Sequence, residues 1–276
     1  IAFSGRLGEN MVEVKAALHV HSTYSDGELS VREIRELFLN AGCSLVCMAD
    51  HADAFDSAKL RDYGDECRDL SDARIRLLPG LEFGCRGRMH IVGYGVEQIL
   101  HSDDPVEVID AIAGAGGVSV IAHPAPEHLD SIPSLGRLPD GIEVWNSKYD
   151  GSAAPRPAVF ELVQRLRERK PDLLAFYGLD LHWRRQFRGL LNHVWLQGED
   201  EAAVLESLRT GRFCGAVKRL RLPSDGRLPS RLLGEFAVRN ARALRLRGLV
   251  QRLKKWSGPL GRALPAPVKS HLRRFF

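Results

Sequence analysis

Two histidines near the N-terminus have the spacing expected of metal ligands. His19 and His21 flank Val20, and residues two apart on an extended chain point to the same face, so both imidazoles can reach one ion. Asp26 follows in a Ser-Asp-Gly turn and can add a carboxylate from the same loop. This group indicates a candidate metal site, although such a pair is only a moderate signal by itself.

More residues of the same types lie where later predicted strands end. One such residue alone is more often a helix cap or a surface group. Nine at successive strand ends would leave uncompensated buried charges, at about several kcal/mol each, unless cations pair with them. The sequence therefore predicts a metal centre. Its nine predicted ligands are His19, His21, Asp26, His51, Glu82, His90, His123, Asp180 and His182.

The elements that position these residues alternate between strand and helix patterns. This alternation predicts an α/β fold with parallel strands and helical crossovers, either a barrel or an open doubly wound sheet. No glycine-rich phosphate loop follows the first strand, which favours the barrel, whose active site lies at the C-terminal strand ends. Strands are predicted over 14–20, 45–49, 77–83, 90–94, 118–122, 141–145, 173–177, 193–196 and 213–217, and helices over 31–40, 57–73, 105–115, 157–170 and 201–210.

Six short motifs contain the predicted ligands. They are His19-Val20-His21-Ser22-Thr23-Tyr24-Ser25-Asp26-Gly27, Asp50-His51, Gly80-Leu81-Glu82, His90-Ile91-Val92-Gly93-Tyr94, Ala122-His123-Pro124 and Gly178-Leu179-Asp180-Leu181-His182. As an ordered set, over roughly residues 14–217, they resemble the motifs of the PHP (polymerase and histidinol phosphatase) family of metal-dependent phosphoesterases. The resemblance implies a distorted (β/α)7 TIM-like barrel of the PHP type.

The resemblance also implies a trinuclear metal centre in which Glu82 bridges the first two ions. Every ligand position is filled, so nothing suggests an inactive copy. Mixed imidazole and carboxylate ligands suit manganese, iron or zinc better than magnesium or calcium, and the resemblance points to the same metals. The implied ligand sets are His19, His21, Glu82 and Asp180 for the first ion, Glu82, His90 and His123 for the second, and Asp26, His51 and His182 for the third.

The leading hypothesis for the reaction is hydrolysis of a phosphate mono- or diester of a small metabolite, such as a nucleotide, a sugar phosphate or a histidinol-phosphate-like ester. A water bridging two ions loses a proton near neutral pH, and the hydroxide would attack phosphorus in line. Asp50, adjacent to His51, is expected to orient a metal ligand rather than to bind metal itself. The residues predicted to take part in catalysis are Glu82, Asp180, His182, Asp50 and Arg184.

Several residues that are not predicted ligands could contact the substrate. Arg184 and Arg185 follow the last predicted ligand and could grip phosphate oxygens, as could Lys148, although solvated surface charge is an alternative for each. Asn146 and Trp183 could shape a pocket for a sugar or a base, or they could serve packing.

The composition is that of a globular protein with a sizeable core, because 44% of the 276 residues are hydrophobic and 27% are charged. No apolar run approaches the roughly 18 residues of a membrane-spanning helix, and no signal pattern opens the chain, so a cytoplasmic location is predicted, with a membrane-peripheral one as the alternative. The five cysteines are predicted to be buried free thiols. Residues 1–10 are given no functional weight.

The charge is unevenly distributed, which suggests two parts. Residues 11–217 are predicted to form the catalytic barrel, and residues 218–276 a basic, partly helical extension. The extension carries a net charge of +14, whereas residues 1–217 carry −10. It could pack on the acidic body, lie on an anionic membrane surface with Phe236 and Trp256 inserted, or bind nucleic acid.

The function has two alternatives. An exonuclease acting on nucleic acid is supported only by the basic extension. A non-catalytic metal-binding module is disfavoured because all nine ligand positions are filled. The expected partner is a phosphorylated small molecule, with divalent metal ions as cofactors.

Overall fold

The computed structural model describes residues 11–151 and 154–256. Residues 1–10 and the end of the predicted extension, 257–276, therefore lie outside the described residues. The strands are β1 (Val12–Val20), β2 (Leu45–Met48), β3 (Asp50–His51), β4 (Arg76–Leu78), β5 (Gly80–Cys85), β6 (Met89–Tyr94), β7 (Val118–Ala122), β8 (Gly141–Asn146), β9 (Leu174–Gly178), β10 (Leu190–Leu196), β11 (Phe213–Val217) and β12 (Leu220–Pro223).

The helices lie between these strands, apart from the last one, which follows them all. Short 3-10 turns at 52–54, 86–88, 132–134 and 184–186 complete the described elements. The α-helices are α1 (Val31–Asn40), α2 (Ser57–Asp69), α3 (Pro105–Gly114), α4 (His128–Ser131), α5 (Ser147–Asp150), α6 (Pro157–Leu166), α7 (Glu201–Arg209) and α8 (Ser230–Trp256).

The strands form two mixed six-stranded sheets, one in the order β12-β11-β10-β1-β2-β4 and the other in the order β3-β5-β6-β7-β8-β9. The prediction of all-parallel strands is wrong, because β6 is antiparallel to both β5 and β7, and β10 is antiparallel to β1 and β11. The physical reason is clearest between β5 and β6, where a three-residue turn is too short for the helical crossover that parallel neighbours need.

The two sheets follow each other along the chain at two places, and backbone hydrogen bonds also join them. A single residue separates β2 from β3, and another separates β4 from β5. The segment that follows β9 also bonds to the end of β1. The Leu179 N–H donates to the Leu18 carbonyl at 2.9 Å, and the His21 N–H donates to the Leu181 carbonyl at 3.0 Å. The α/β class is confirmed, whereas the predicted closed seven-stranded barrel is not confirmed by strand pairing among the described residues.

Capped amphipathic helices fix the strand ends that carry the site. A capping box between Ser30 and Glu33 begins α1, which buries Val31, Ile34 and Phe38. Asp56 caps α2 and Asp104 caps α3 through backbone N–H groups. Because each helix is anchored at its start and on its buried face, the loops before it are held in place.

The helix α8 packs on the body of the protein through Phe236. Its ring is fully buried, with centroids 5.8 Å from Trp145 and 6.3 Å from Phe160. One turn later, the Asn240 side chain donates to the Ala154 carbonyl at 3.0 Å. Phe236 is therefore not available for insertion into a membrane, as one reading of the sequence required. Trp256 ends α8, and its side chain lies outside the described part of the structure.

Two further predictions concern the whole chain. All five cysteines are free and buried, as predicted. Within residues 11–151 and 154–256, no helix combines the length and apolar character that crossing a bilayer requires.

Candidate metal centre

The structure brings all nine predicted ligands together at one end of the sheets. Eight of them form three groups in which the ligand atoms lie within 4.8 Å of one another. His90 lies beside them, with Nδ1 at 3.1 Å from Glu82 Oε1. The groups are His21, Asp26, His51 and His182, then His19, Glu82 and His123, and finally His19, His21 and Asp180.

Three of these residues have backbone conformations that are uncommon for residues other than glycine. His19 lies at a bulge in β1 with φ of 64°, His123 follows β7 with φ of 28°, and Asp180 follows β9 with φ of 52°. Such left-handed positions cost on the order of 1–3 kcal/mol each and cluster at functional sites. They turn the chain abruptly where each strand ends, which directs the side chains toward the common centre.

Glu82 lies at the middle of the cluster, and its two oxygens face different imidazoles. The Oε1 atom is 3.0 Å from His123 Nε2 and 3.1 Å from His90 Nδ1. The Oε2 atom is 3.2 Å from His51 Nδ1 and 3.6 Å from His21 Nε2. A carboxylate placed in this way between two sets of histidines has the geometry of a bridging ligand.

Asp180, which follows β9, lies in the same cluster. Its Oδ1 atom is 3.1 Å from His182 Nδ1 and 3.1 Å from Lys148 Nζ. The other nitrogen of His182 lies 3.2 Å from Asp26 Oδ1, which is also 3.6 Å from His51 Nε2. Lys148, one of the predicted phosphate-binding residues, therefore reaches into the cluster itself.

The residues fit divalent ions because some imidazole nitrogens are buried without a hydrogen-bond partner. Among the described residues, these are His19 Nε2 and both ring nitrogens of His21. An unsatisfied buried polar atom costs about 1–3 kcal/mol. The Nε2 atoms of both rings lie 3.5–4.0 Å from oxygens of Glu82 and Asp180, so cations among these groups would engage both kinds of ligand.

The electrostatics keep the central carboxylates charged. Burial raises the pKa of Glu82, but the charge of His19 and hydrogen bonds from neighbouring imidazoles outweigh it and hold that pKa well below its usual value. The same balance holds the pKa of Asp180 well below its usual value. For His19, burial lowers the pKa, but the surrounding carboxylates, led by Glu143, raise it well above normal. The carboxylates of Glu82 and Asp180 thus stay negatively charged inside the cluster.

Glu143 is a site residue that the sequence reasoning missed. Its Oε1 atom is 2.7 Å from His19 Nδ1, and its Oε2 atom accepts from the His123 N–H and from Asn146 Nδ2, each at 2.9 Å. The residue is buried in the middle of β8 rather than at its end. An acidic residue inside an otherwise apolar strand was the available signal.

Asp50 holds the loop that carries Asp26. Its carboxylate accepts from the backbone N–H and hydroxyl of Ser22, both at 2.8 Å, and from the same two groups of Ser25 at 3.1 and 2.6 Å. No hydrogen bond joins Asp50 to His51 in the part of the chain that the structure describes. Asp50 therefore positions the loop that carries Asp26, and its role in orienting a metal ligand stays a prediction.

The two predicted phosphate-binding arginines lie at the rim. Arg184 is exposed, and its backbone N–H donates to Glu28 Oε2 at 3.1 Å. The Arg185 guanidinium lies 5.7 Å from the ring centroid of Trp183, whose ring is 5.7 Å from that of His182. The Asn146 side chain donates to Glu143, and the Trp183 ring lies beside His182 at the border of the cluster.

Comparison with known proteins places this geometry in a family context. The model of the PHP domain family matches residues 17–130. This range includes seven of the nine residues in the cluster, all except Asp180 and His182. A search of curated proteins found no match to the chain.

Solved structures show a similar fold at low sequence identity. A two-domain protein from Bacteroides vulgatus ATCC 8482, described as containing a predicted PHP-like metal-dependent phosphoesterase, is similar over 83% of this chain and 70% of its own, with 16% identity and a TM-score of 0.56. PsfC from Pseudomonas syringae PB-5123 is similar over 73% of this chain and 90% of its own, with 15% identity and a TM-score of 0.51. At these identities the likeness concerns the fold alone.

Proposed function

We propose, from the match of residues 17–130 to the model of the PHP domain family, that the chain is a metal-dependent phosphoesterase acting on a phosphate mono- or diester of a small metabolite. The observation that carries the proposal is the set of buried, unpartnered nitrogens of His19 and His21 facing the ionised carboxylates of Glu82 and Asp180. We further propose that the two sheets are the halves of a distorted barrel, because β3 continues from β2 and the segment after β9 bonds to the end of β1.

The geometry favours an assignment of ligands that differs slightly from the one the sequence motifs implied. His21 groups with Asp26, His51 and His182 as well as with His19 and Asp180. Because His19 Nδ1 is occupied by Glu143, only its Nε2 atom remains for an ion. Up to three ions, of manganese, iron or zinc, would share these ligands, with Glu82 between two of them.

Bound divalent ions would supply a nucleophile from water at neutral pH and neutralise phosphoryl oxygens. The chain's own residues would do the rest. Glu82 and Asp180 would hold the positive charge in place because both remain ionised. Lys148, a quarter exposed beside Asp180, is placed to contact a phosphoryl oxygen from the open side. Asp26 and His90, both partly exposed, border the side from which a substrate would enter.

The test combines metal analysis with turnover of p-nitrophenyl phosphate by manganese-loaded protein. The wild type should retain stoichiometric metal and hydrolyse the ester. Glu82→Gln should lose metal and reduce kcat/KM by about a hundredfold or more, since it removes the charge between two sets of ligands. The matched control is Glu206→Gln, an exposed carboxylate on α7, which should change neither quantity.

The outcomes separate the remaining readings. Metal retention without turnover of any ester, in a panel of nucleotides, sugar phosphates, cyclic diesters and short oligonucleotides, would favour a non-catalytic metal-binding module. Turnover confined to the oligonucleotides would favour the exonuclease. Equal activity of the wild type and Glu82→Gln would assign the hydrolysis to another protein in the preparation.

A further inference from the structure

A cavity of about 530 Å³ opens beside the metal centre, where His90 and His123 form part of its wall. Its far wall is supplied by α8, through Asn240, Ala243 and Leu244. This volume suits a small organic molecule. The cavity is therefore contiguous with the ligands of the centre on one side and with the basic helix on the other.

The part of α8 that faces the cavity is fixed to the body. Phe236 is buried, Asn240 donates to the Ala154 carbonyl, and Ala243 and Leu244 follow at a spacing of three and four residues. Residues at this spacing lie on one face of a helix. The anchor at Phe236 and the hydrogen bond of Asn240 therefore hold Ala243 and Leu244 against the cavity.

The charges of the wall are already paired. Arg156 Nε lies 2.9 Å from Asp150 Oδ1, and one of its other nitrogens donates to the Pro124 carbonyl at 2.6 Å. Arg88, a largely exposed residue at the rim, lies 3.5 Å from Glu127. Each guanidinium of the wall thus faces a carboxylate, so the cavity has little to offer a second phosphate. An uncharged occupant suits it better.

The surfaces between these pairs suit a ring. The Tyr149 ring lies 4.9 Å from that of His123, and its side chain remains 46% exposed where it lines the cavity. Ala154, Ala243 and Leu244 supply apolar surface around it. Aromatic rings pack favourably on such faces, and burying apolar surface against them favours binding.

We propose that α8 is the specificity wall of the active site, and that this cavity receives an uncharged, ring-containing alcohol half of the phosphate ester, lying between Tyr149 and the Ala243–Leu244 face. This inference rests on the proposed function for the placement of the phosphate at the metal centre. It assigns to the basic C-terminal segment a role in substrate choice rather than in binding a membrane or nucleic acid.

The test measures binding rather than turnover, so that it can be judged apart from the proposed function. Phenylphosphonate and methylphosphonate, which differ in the ring, are titrated calorimetrically into manganese-loaded full-length wild type, Ala243→Trp and Leu246→Trp. Leu246 lies on the same helix, is 47% exposed and is not part of the cavity wall, so its variant is the matched control.

Wild type and Leu246→Trp should bind phenylphosphonate at least about tenfold more tightly than methylphosphonate, which corresponds to about 1.4 kcal/mol. Ala243→Trp should abolish that preference by filling the cavity while keeping the affinity for methylphosphonate. An unchanged preference in Ala243→Trp, or no preference in the wild type, would overturn the inference. If the preference behaves as expected but no phosphoester is hydrolysed, the wall stands and the proposed hydrolytic function fails.

Discussion

At the scale of single residues, the position of His19 depends on Glu143. The short contact between Glu143 Oε1 and His19 Nδ1 directs the opposite nitrogen, Nε2, toward Glu82 and Asp180. The second oxygen of Glu143 holds the His123 backbone N–H, so one carboxylate fixes two of the predicted ligands. Carboxylates that orient imidazole ligands in this way also increase their basicity.

We therefore predict that Glu143→Gln lowers metal affinity by about 10–100-fold. Glutamine keeps the size of the side chain but has only one acceptor oxygen. In the wild type, two carboxylate oxygens face His19 Nδ1, the His123 N–H and Asn146 Nδ2. The affinity is measured by competition with a chelating dye at a temperature where both proteins are folded, as judged by circular dichroism. Glu107→Gln, at the exposed start of α3, is the control; an equal affinity for wild type and Glu143→Gln would contradict the role assigned to Glu143.

At the scale of elements, the end of β9 packs closely against Glu143. An ideal Cβ on Gly178 would lie 1.8 Å from Glu143 Oε1 and 3.2 Å from His19 Cβ. The strand can pass so near the site only because this residue has no side chain. Two residues later, Asp180 takes its left-handed conformation, so the approach of β9 and the direction of its ligand are set together.

Gly178→Ala should accordingly destabilise the protein by about 1–3 kcal/mol and weaken metal binding, because the added methyl group displaces Glu143. Urea unfolding and the dye competition measure the two effects. Gly84→Ala is a matched control within a strand, since a Cβ there meets nothing within 4 Å. Identical urea midpoints for the two variants would show that the space around Gly178 is not restrictive.

The helices and strands also show which structural features could be predicted from the sequence and which could not. The helix 31–40 and the strands 118–122 and 213–217 were predicted with their observed bounds, because apolar periodicity and turn residues mark them clearly. The single strand predicted over 77–83 is instead divided at Pro79, which lacks an N–H for the ladder, and its two parts belong to different sheets. The short connection between β5 and β6 was a local signal for an antiparallel pair, whereas the direction of β10 relative to β1 depends on pairing between distant segments.

The same limit applies to the site. The nine ligands were recognisable because imidazoles and carboxylates recur at strand ends, and the fold does bring them together. The role of Glu143 was missed, because it depends on tertiary contacts with two distant residues, His19 on β1 and His123 after β7. The left-handed conformations of His19, His123 and Asp180 likewise follow from tertiary contacts that outweigh local preference.

At the scale of the whole molecule, the basic extension and the acidic body attract one another, but apolar contact decides where they meet. Residues 1–217 carry a net charge of −10 and residues 218–276 carry +14. The attraction between these opposite charges is long-ranged and weakens as salt is added. Two described parts of the extension contact the body: β12 pairs with β11, and Phe236 of α8 lies between Trp145 and Phe160. Trp145 belongs to β8, the strand that also carries Glu143, so α8 is anchored to a strand that contributes to the candidate metal centre.

Phe236→Ala should lower the free energy of unfolding by about 3–5 kcal/mol, because it leaves a cavity where a fully buried ring lies between two aromatic neighbours. Val238→Ala, two residues along the same helix and 52% exposed, should change it by less than about 0.5 kcal/mol. The free energies of unfolding of both variants are measured by urea denaturation. Limited proteolysis reports whether the chain is cleaved within residues 230–246. If α8 is joined to the body mainly by charge, the two variants would unfold alike and 1 M salt would release the helix from the wild type. If Phe236 is the anchor, salt would leave the helix protected and only Phe236→Ala would expose it.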